Sequence, residues 1–250
     1  MTKSKVAKSI VIYVIIYMFI TVGVVLTQPS YFTSHIKLSA PLFQMLMAMD
    51  NGFYSYIILT FTTLPLTVLI LEYMIPKTEE IVMIRSSSYF GYAFSHLKLI
   101  IINAMISLLI YVGVASVIMI ASFGIGGLIE NGFIQVTLHE IISLFLFYIW
   151  GSLFYLIIRR LTNKKMAALI ILIVFMVVQI AILYALPSIN RLIIPIENVT
   201  SYGSIFQHTY GAEALIYLDL RDLFFCIFLF VTYFMILDRK DVLSFEIEDK

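Results

Sequence analysis

Leu99–Phe123, LIIINAMISLLIYVGVASVIMIASF, decides the fold: 25 residues pass without one Asp, Glu, Lys, Arg or His. A helix that crosses the hydrocarbon core of a bilayer needs about 20 predominantly apolar residues. A helix of this length on a soluble domain would carry a polar stripe, and none is present. Working outward toward the N-terminus, Tyr54–Tyr73 is a second apolar run, closed by Glu72 and Pro76, and Ile10–Leu26 a first, bounded by Lys8 and by Gln28-Pro29. Toward the C-terminus, Gly124-Ile125-Gly126-Gly127 ends the central stretch. Ile141–Ile158 follows, stopped by Arg159-Arg160, then Met166–Leu186, stopped by Pro187, and last the short Leu223–Leu237. This sixth run lengthens N-terminally only by accepting Asp219, Arg221 and Asp222 near the interface.

The whole composition agrees. Of 250 residues, 62% are hydrophobic and 12% charged, against about 45–50% and about 25% in a soluble domain. Mean hydropathy is +1.02. A globule of this size cannot bury so much apolar surface, so a soluble enzyme and a disordered chain are both excluded. Net charge is +1, too little for a nucleic-acid surface. The single cysteine, Cys226, lies in an apolar run and reads as a buried, inert thiol.

The basic residues set the orientation. With the N-terminus in the cytoplasm, 13 Lys and Arg face inside: Lys3, Lys5, Lys8, Lys77, Arg85, Lys98, Arg159, Arg160, Lys164, Lys165, Arg239, Lys240 and Lys250. Only Lys37, Arg191 and Arg221 face outside, while the acidic residues divide 8 to 7. The expectation is an all-α polytopic membrane protein: one transmembrane domain over residues 1–250, six spans, both termini cytoplasmic. The first span is read as uncleaved, because Thr27-Gln28-Pro29-Ser30 offers no small-residue cleavage site. Spans four and five, with only Arg159–Lys165 between them, form an antiparallel hairpin. Residues 27–53 and 187–222 are apolar enough to include interfacial or re-entrant pieces.

Chemistry is scarce. The middle of every span lacks ionisable residues, which membrane enzymes and ion-coupled transporters keep for function. His139-Glu140 begins like H-E-x-x-H, but Ser143 stands where the second histidine belongs. Glu79-Glu80 with Arg85 approximates the E-E-x-x-x-R motif of CAAX-type intramembrane proteases, yet the arginine comes one residue late. Asn198-Val199-Thr200 has the form of a glycosylation sequon. No G-x-x-x-x-G-K-[ST] occurs. No catalytic residue, metal ligand or cofactor site is expected, and the chain reads as a non-enzyme. The polar residues within spans, chiefly Thr63, Thr67, Asn103 and Gln179, serve either as interhelical hydrogen-bonding groups or as the lining of a pathway.

Residues 74–98 say more. After Pro76, Thr78 can cap a short helix with Glu79 and Glu80 in its first turn, where the helix dipole favours acids. Ile81, Val82, Met83 and Ile84 follow, then Arg85 and Ser86-Ser87-Ser88. A half-apolar helix on the cytoplasmic face is either a plain connector or a docking element. With six spans, internal termini, this helix between spans two and three, and apolar pieces between spans five and six, the chain resembles the membrane subunits of type-2 ABC transporters. The stretch from Glu72 to Lys98 looks especially like small bacterial permeases of peptide export or self-immunity. The amphipathic helix usual before span one in that class is nearly absent here.

The resemblance implies a permease subunit in a bacterial plasma membrane, in contact with lipid, that exports an amphipathic or hydrophobic substrate such as a peptide or lipid-like molecule. A separate cytoplasmic ABC ATPase would supply the energy and dock on Glu79, Glu80, Ile81, Ile84 and Arg85. A second copy or a sibling would complete the pathway as a dimer. The alternative is a non-transporting immunity or assembly protein that binds a peptide or partner.

Overall fold

The apolar windows of the sequence become helices that run past their own ends, because residues too polar for lipid can still pack against a neighbouring helix. A computed structural model of the chain describes residues 3–26, 56–75, 89–185, 195 and 212–248. Among these residues all regular structure is helical. Helix α1 is Lys3–Leu26. A continuous run follows: α2 (Tyr56–Ile58), a π segment (Leu59–Thr63) and α3 (Leu64–Met74). Then come α4 (Tyr89–Phe123), the short α5 (Ile125–Glu130), α6 (Phe133–Thr162), α7 (Lys165–Ala185) and α8 (Ala212–Glu248). Among the described residues, four helices are long and apolar enough to cross a membrane: Phe90–Phe123, Phe133–Thr162, Lys165–Ile182 and Glu213–Leu237. Val14–Gly23 and Leu59–Met74 are shorter apolar helices.

Local chemistry sets the breaks. Pro65 has no N–H, so the helical ladder must be rearranged one turn before it. The chain inserts a residue there, and the Leu64 N–H bonds to the Leu59 carbonyl five positions back. A π segment of this kind is one of the few distortions a helix tolerates. Gly124 (φ 72°) and Gly132 (φ 82°) provide the left-handed backbone on either side of α5, which costs glycine nothing. Asn163 (φ 54°) ends α6 in the left-handed helical conformation that Gly132 also adopts, its N–H on the Arg159 carbonyl at 2.9 Å. Only Asn163 and Lys164 separate α6 from α7. The hairpin read from Arg159–Lys165 is therefore tighter than that spacing suggested.

Helix α6 is the centre of the bundle. It packs against α3, α4, α7 and α8, and 72% of its apolar window is buried, against 22–39% for the other three long helices. Trp150 is the hub, with edge-on contacts to Phe147 (5.3 Å), Phe225 of α8 (5.7 Å) and Phe175 of α7 (6.4 Å). Phe154 stacks on Phe175 at 4.5 Å. One turn of α3 comes very close to α6: a Cβ at Gly151 would lie 2.6 Å from Leu64 Cδ1.

The packing is inverted relative to a soluble protein. Phe224, Phe228, Leu109 and Met166 are exposed, whereas Thr21, Thr60, Thr63, Thr67, Asn103, Ser107 and Gln179 are buried. Apolar surface of this extent outside and polar groups inside fit a chain surrounded by lipid.

The contacts also fix relative directions. Glu72 meets Arg159, and Leu64 faces Gly151, so α3 and α6 run parallel. Tyr92 meets Arg160, so α4 opposes α6. Cys226 Sγ lies 3.7 Å from the Leu146 carbonyl and Asp219 lies near Glu140, so α8 runs parallel to α6.

Candidate functional site

Five elements converge at the end of the bundle that carries Arg159, Arg160 and Lys165. Glu72, near the C-terminus of α3, turns inward with 7% of its side chain exposed. Its Oε1 accepts from the Tyr155 hydroxyl (2.9 Å) and from Arg159 Nε (2.9 Å), both on α6. The Lys165 ammonium at the start of α7 pairs with Oε2. One turn of α6 thus holds the carboxylate from the side, and the next helix caps it. Beside it, Arg160 Nη2 donates to the Tyr92 hydroxyl of α4 (3.2 Å). The Tyr92 ring lies 4.5 Å from that of His96. His96 is buried, and its Nδ1 is 2.7 Å from the Tyr233 hydroxyl of α8. Charges and hydrogen bonds therefore tie α3, α4, α6, α7 and α8 together at one level.

A second polar group lies deeper. The Thr67 hydroxyl sits 2.8 Å from the Thr63 carbonyl and 2.9 Å from the Ser107 hydroxyl. Asn103 Nδ2 donates to the Thr67 carbonyl at 2.8 Å. Tyr17 of α1 and Tyr148 of α6 bring their hydroxyls within 3.5 Å of one another, facing Thr63. Among the described residues, nothing hydrogen-bonds Asn103 Oδ1, Thr60 Oγ1 or Thr21 Oγ1. All of these side chains are buried. Interhelical bonds of this kind contribute about 0.6 kcal/mol each, so the seam joins α1, α3, α4 and α6 without making the bundle rigid.

At the opposite end, Glu140 of α6 is fully buried, beside the Ser143 side chain and within electrostatic reach of Asp219 of α8. On α8, Arg221 directs Nε and Nη2 to Asp222 Oδ1 (2.8 and 2.6 Å) and Nη2 to the Pro195 carbonyl (3.1 Å). Among the described residues, no three His, Cys, Asp or Glu side chains gather to hold a metal.

Of the pathway candidates, Thr63, Thr67 and Asn103 come together in the buried seam, while Gln179 lies on α7 with its Nε2 3.7 Å from Met176 Sδ. The docking candidates Glu79, Glu80, Ile81, Ile84 and Arg85 lie outside the described residues. In the sequence, Glu72 precedes that segment and Tyr92 follows it. Read from the sequence, Glu72 is a span end and Arg159, Arg160 and Lys165 are loop charges. The available signal was opposite charge at the same depth on neighbouring spans.

Comparisons with protein-family models, with curated proteins and with solved structures find no match.

Proposed function

We propose that the chain is the permease subunit of an ATP-driven exporter: six spans, both ends cytoplasmic, energised by a separate ATPase that docks on Thr78–Ser88. The observation that carries this reading is the Glu72 cluster. A docking segment transmits force only if its two feet are anchored to the bundle. Glu72 before the segment is held by Tyr155, Arg159 and Lys165, and Tyr92 after it is held by Arg160. A push on the segment would reach α6, the central helix, through both. The alternating directions of α3, α4, α6 and α7 are in keeping with successive crossings, and the chain has no P-loop of its own. The substrate class, amphipathic or apolar, rests on the apolar character of the spans. A second copy or a sibling would supply the other wall of the pathway.

Docking affinity concentrates in a few buried apolar anchors and one or two charge pairs. Ile84→Asp should therefore lower recovery of a cytoplasmic ATPase with the tagged protein several-fold, with normal insertion, while Lys164→Ala leaves recovery near wild type. Full recovery with Ile84→Asp rejects the docking segment. If no ATPase co-purifies with the wild type, the immunity or assembly reading replaces the exporter.

A further inference from the structure

The apolar windows Phe133–Thr162 of α6 and Lys165–Ile182 of α7 end at the same turn. Where α6 and α7 cross a membrane, this turn lies at the boundary between hydrocarbon and headgroups. Its shape is set locally. Asn163 takes the left-handed conformation. The Thr162 hydroxyl bonds the Ile158 carbonyl (2.8 Å) and accepts from the Lys164 N–H (3.3 Å). Lys164 and Lys165 follow, both exposed. The other cations at this end are engaged: Arg159 with Glu72, Arg160 with Tyr92, and Lys98 of α4 over the Phe94 ring at 5.1 Å. Lys165 shares Glu72, yet 62% of its side chain stays exposed. Lys164 bonds only through its backbone, and among the described residues no carboxylate meets its ammonium.

Apolar side chains stand directly below these charges. Leu161 and Met166 flank the lysines and are exposed. From Met166 the exposed face of α7 continues through Ile170, Val174 and Val178, four residues apart. Helix from Met166 to Val178 rises about 18 Å, comparable with the about 15 Å of hydrocarbon in one leaflet. An apolar stripe one leaflet deep, headed by a cation without a counter-charge, is complementary to a lipid with an anionic headgroup. A soluble phosphate would use the charge and not the stripe. A zwitterionic lipid would use the stripe, but its own ammonium opposes the lysines. We infer that the α6–α7 turn binds an anionic phospholipid, with its phosphate on Lys164 and Lys165 and one acyl chain along Met166–Val178. Lys165 then lies between the phosphate and Glu72, so the lipid adjoins the five-helix cluster. The inference needs only that α6 and α7 cross a membrane, and it is independent of the exporter reading.

The test uses the full chain in mixed micelles, with retained lipid read by native mass spectrometry. Phosphatidylglycerol should be retained in preference to phosphatidylcholine of the same chain length. A lysine at an anionic membrane surface is worth about fivefold in affinity, equivalent to about 1 kcal/mol. Lys164→Ala should therefore lower phosphatidylglycerol retention about fivefold. Lys164→Arg should restore it, since a guanidinium also binds phosphate. Lys98→Ala, whose ammonium lies over a ring, should retain the lipid as the wild type does. Equal retention of the two lipids by the wild type overturns the site, and so does wild-type retention by Lys164→Ala. Loss with Lys164→Arg equal to that with Lys164→Ala overturns it as well, because the charge would then not be what binds. Glycerol phosphate serves as the soluble anion. If it displaces phosphatidylglycerol at comparable concentration, binding rests on the charge alone and the lipid assignment is wrong.

Discussion

Glu72 shows how burial ranks interactions that look alike on paper. It has two cationic partners, Arg159 and Lys165, but their side chains are 18% and 62% exposed. Breaking a buried pair strands a charge and costs about 3–5 kcal/mol, whereas an exposed pair contributes about 0–1 kcal/mol. Arg159→Ala should therefore destabilise the bundle by about 3 kcal/mol, and Lys165→Ala by less than about 1 kcal/mol. Unfolding in mixed micelles by titration with a denaturing detergent measures both. Equal losses would mean that Lys165 neutralises the carboxylate as much as Arg159 does, despite its exposure. Tyr155 shares Oε1 with Arg159, so Tyr155→Phe should fall between the two and be non-additive with Arg159→Ala.

At the level of the element, each long helix divides into a face against α6 and a face against the surroundings. On α7, Ala168, Leu172 and Met176 are buried, and Ile170, Val174, Val177 and Val178 are exposed. A Lys at the centre of a spanning helix costs about 2.5–3.5 kcal/mol on insertion, while one near the end can reach the interface. Val177→Lys should sharply reduce the amount of membrane-embedded protein, and Leu161→Lys, next to Arg159 and Arg160, should not. Similar levels of the two would show that Val177 does not face lipid. The same division explains what was legible in the sequence. Apolar length revealed Leu99–Phe123 and Ile141–Ile158 as helices, because lipid demands an unbroken apolar run. It did not reveal that these helices begin at Tyr89 and Phe133, because hydropathy cannot register His96 or Glu140 packed against a neighbour. Likewise the sixth run, Leu223–Leu237, starts at Ala212, since Arg221 neutralises Asp222 within the helix. Thr63, Thr67 and Asn103 were visible as polar residues in apolar runs. Their meeting in one seam was not, since it depends on the π segment and on how α3 and α4 are aligned.

For the whole molecule, the level of each charged group along the bundle is the strongest constraint. Arg159, Arg160 and Lys165 gather at one end of the bundle around Glu72. Glu140, Asp219 and Asp222 gather at the other, where Arg221 pairs with Asp222. A membrane around the apolar middle would separate these two levels. On the proposed six-span topology, the positive-inside rule would put the first in the cytoplasm, together with 13 of the 16 Lys and Arg. Two exposed positions test it from opposite sides: Glu130 on α5 and Lys164 between α6 and α7. In a Cys226→Ala background, Glu130→Cys in intact cells should react with an impermeant thiol reagent. Lys164→Cys should react only after the membrane is opened. The background substitution is mild, because Cys226 is buried and contributes a weak contact to the Leu146 carbonyl. Labelling of Lys164→Cys in intact cells would invert the orientation, put the Glu72 cluster outside, and remove the physical basis for a cytoplasmic ATPase acting through it.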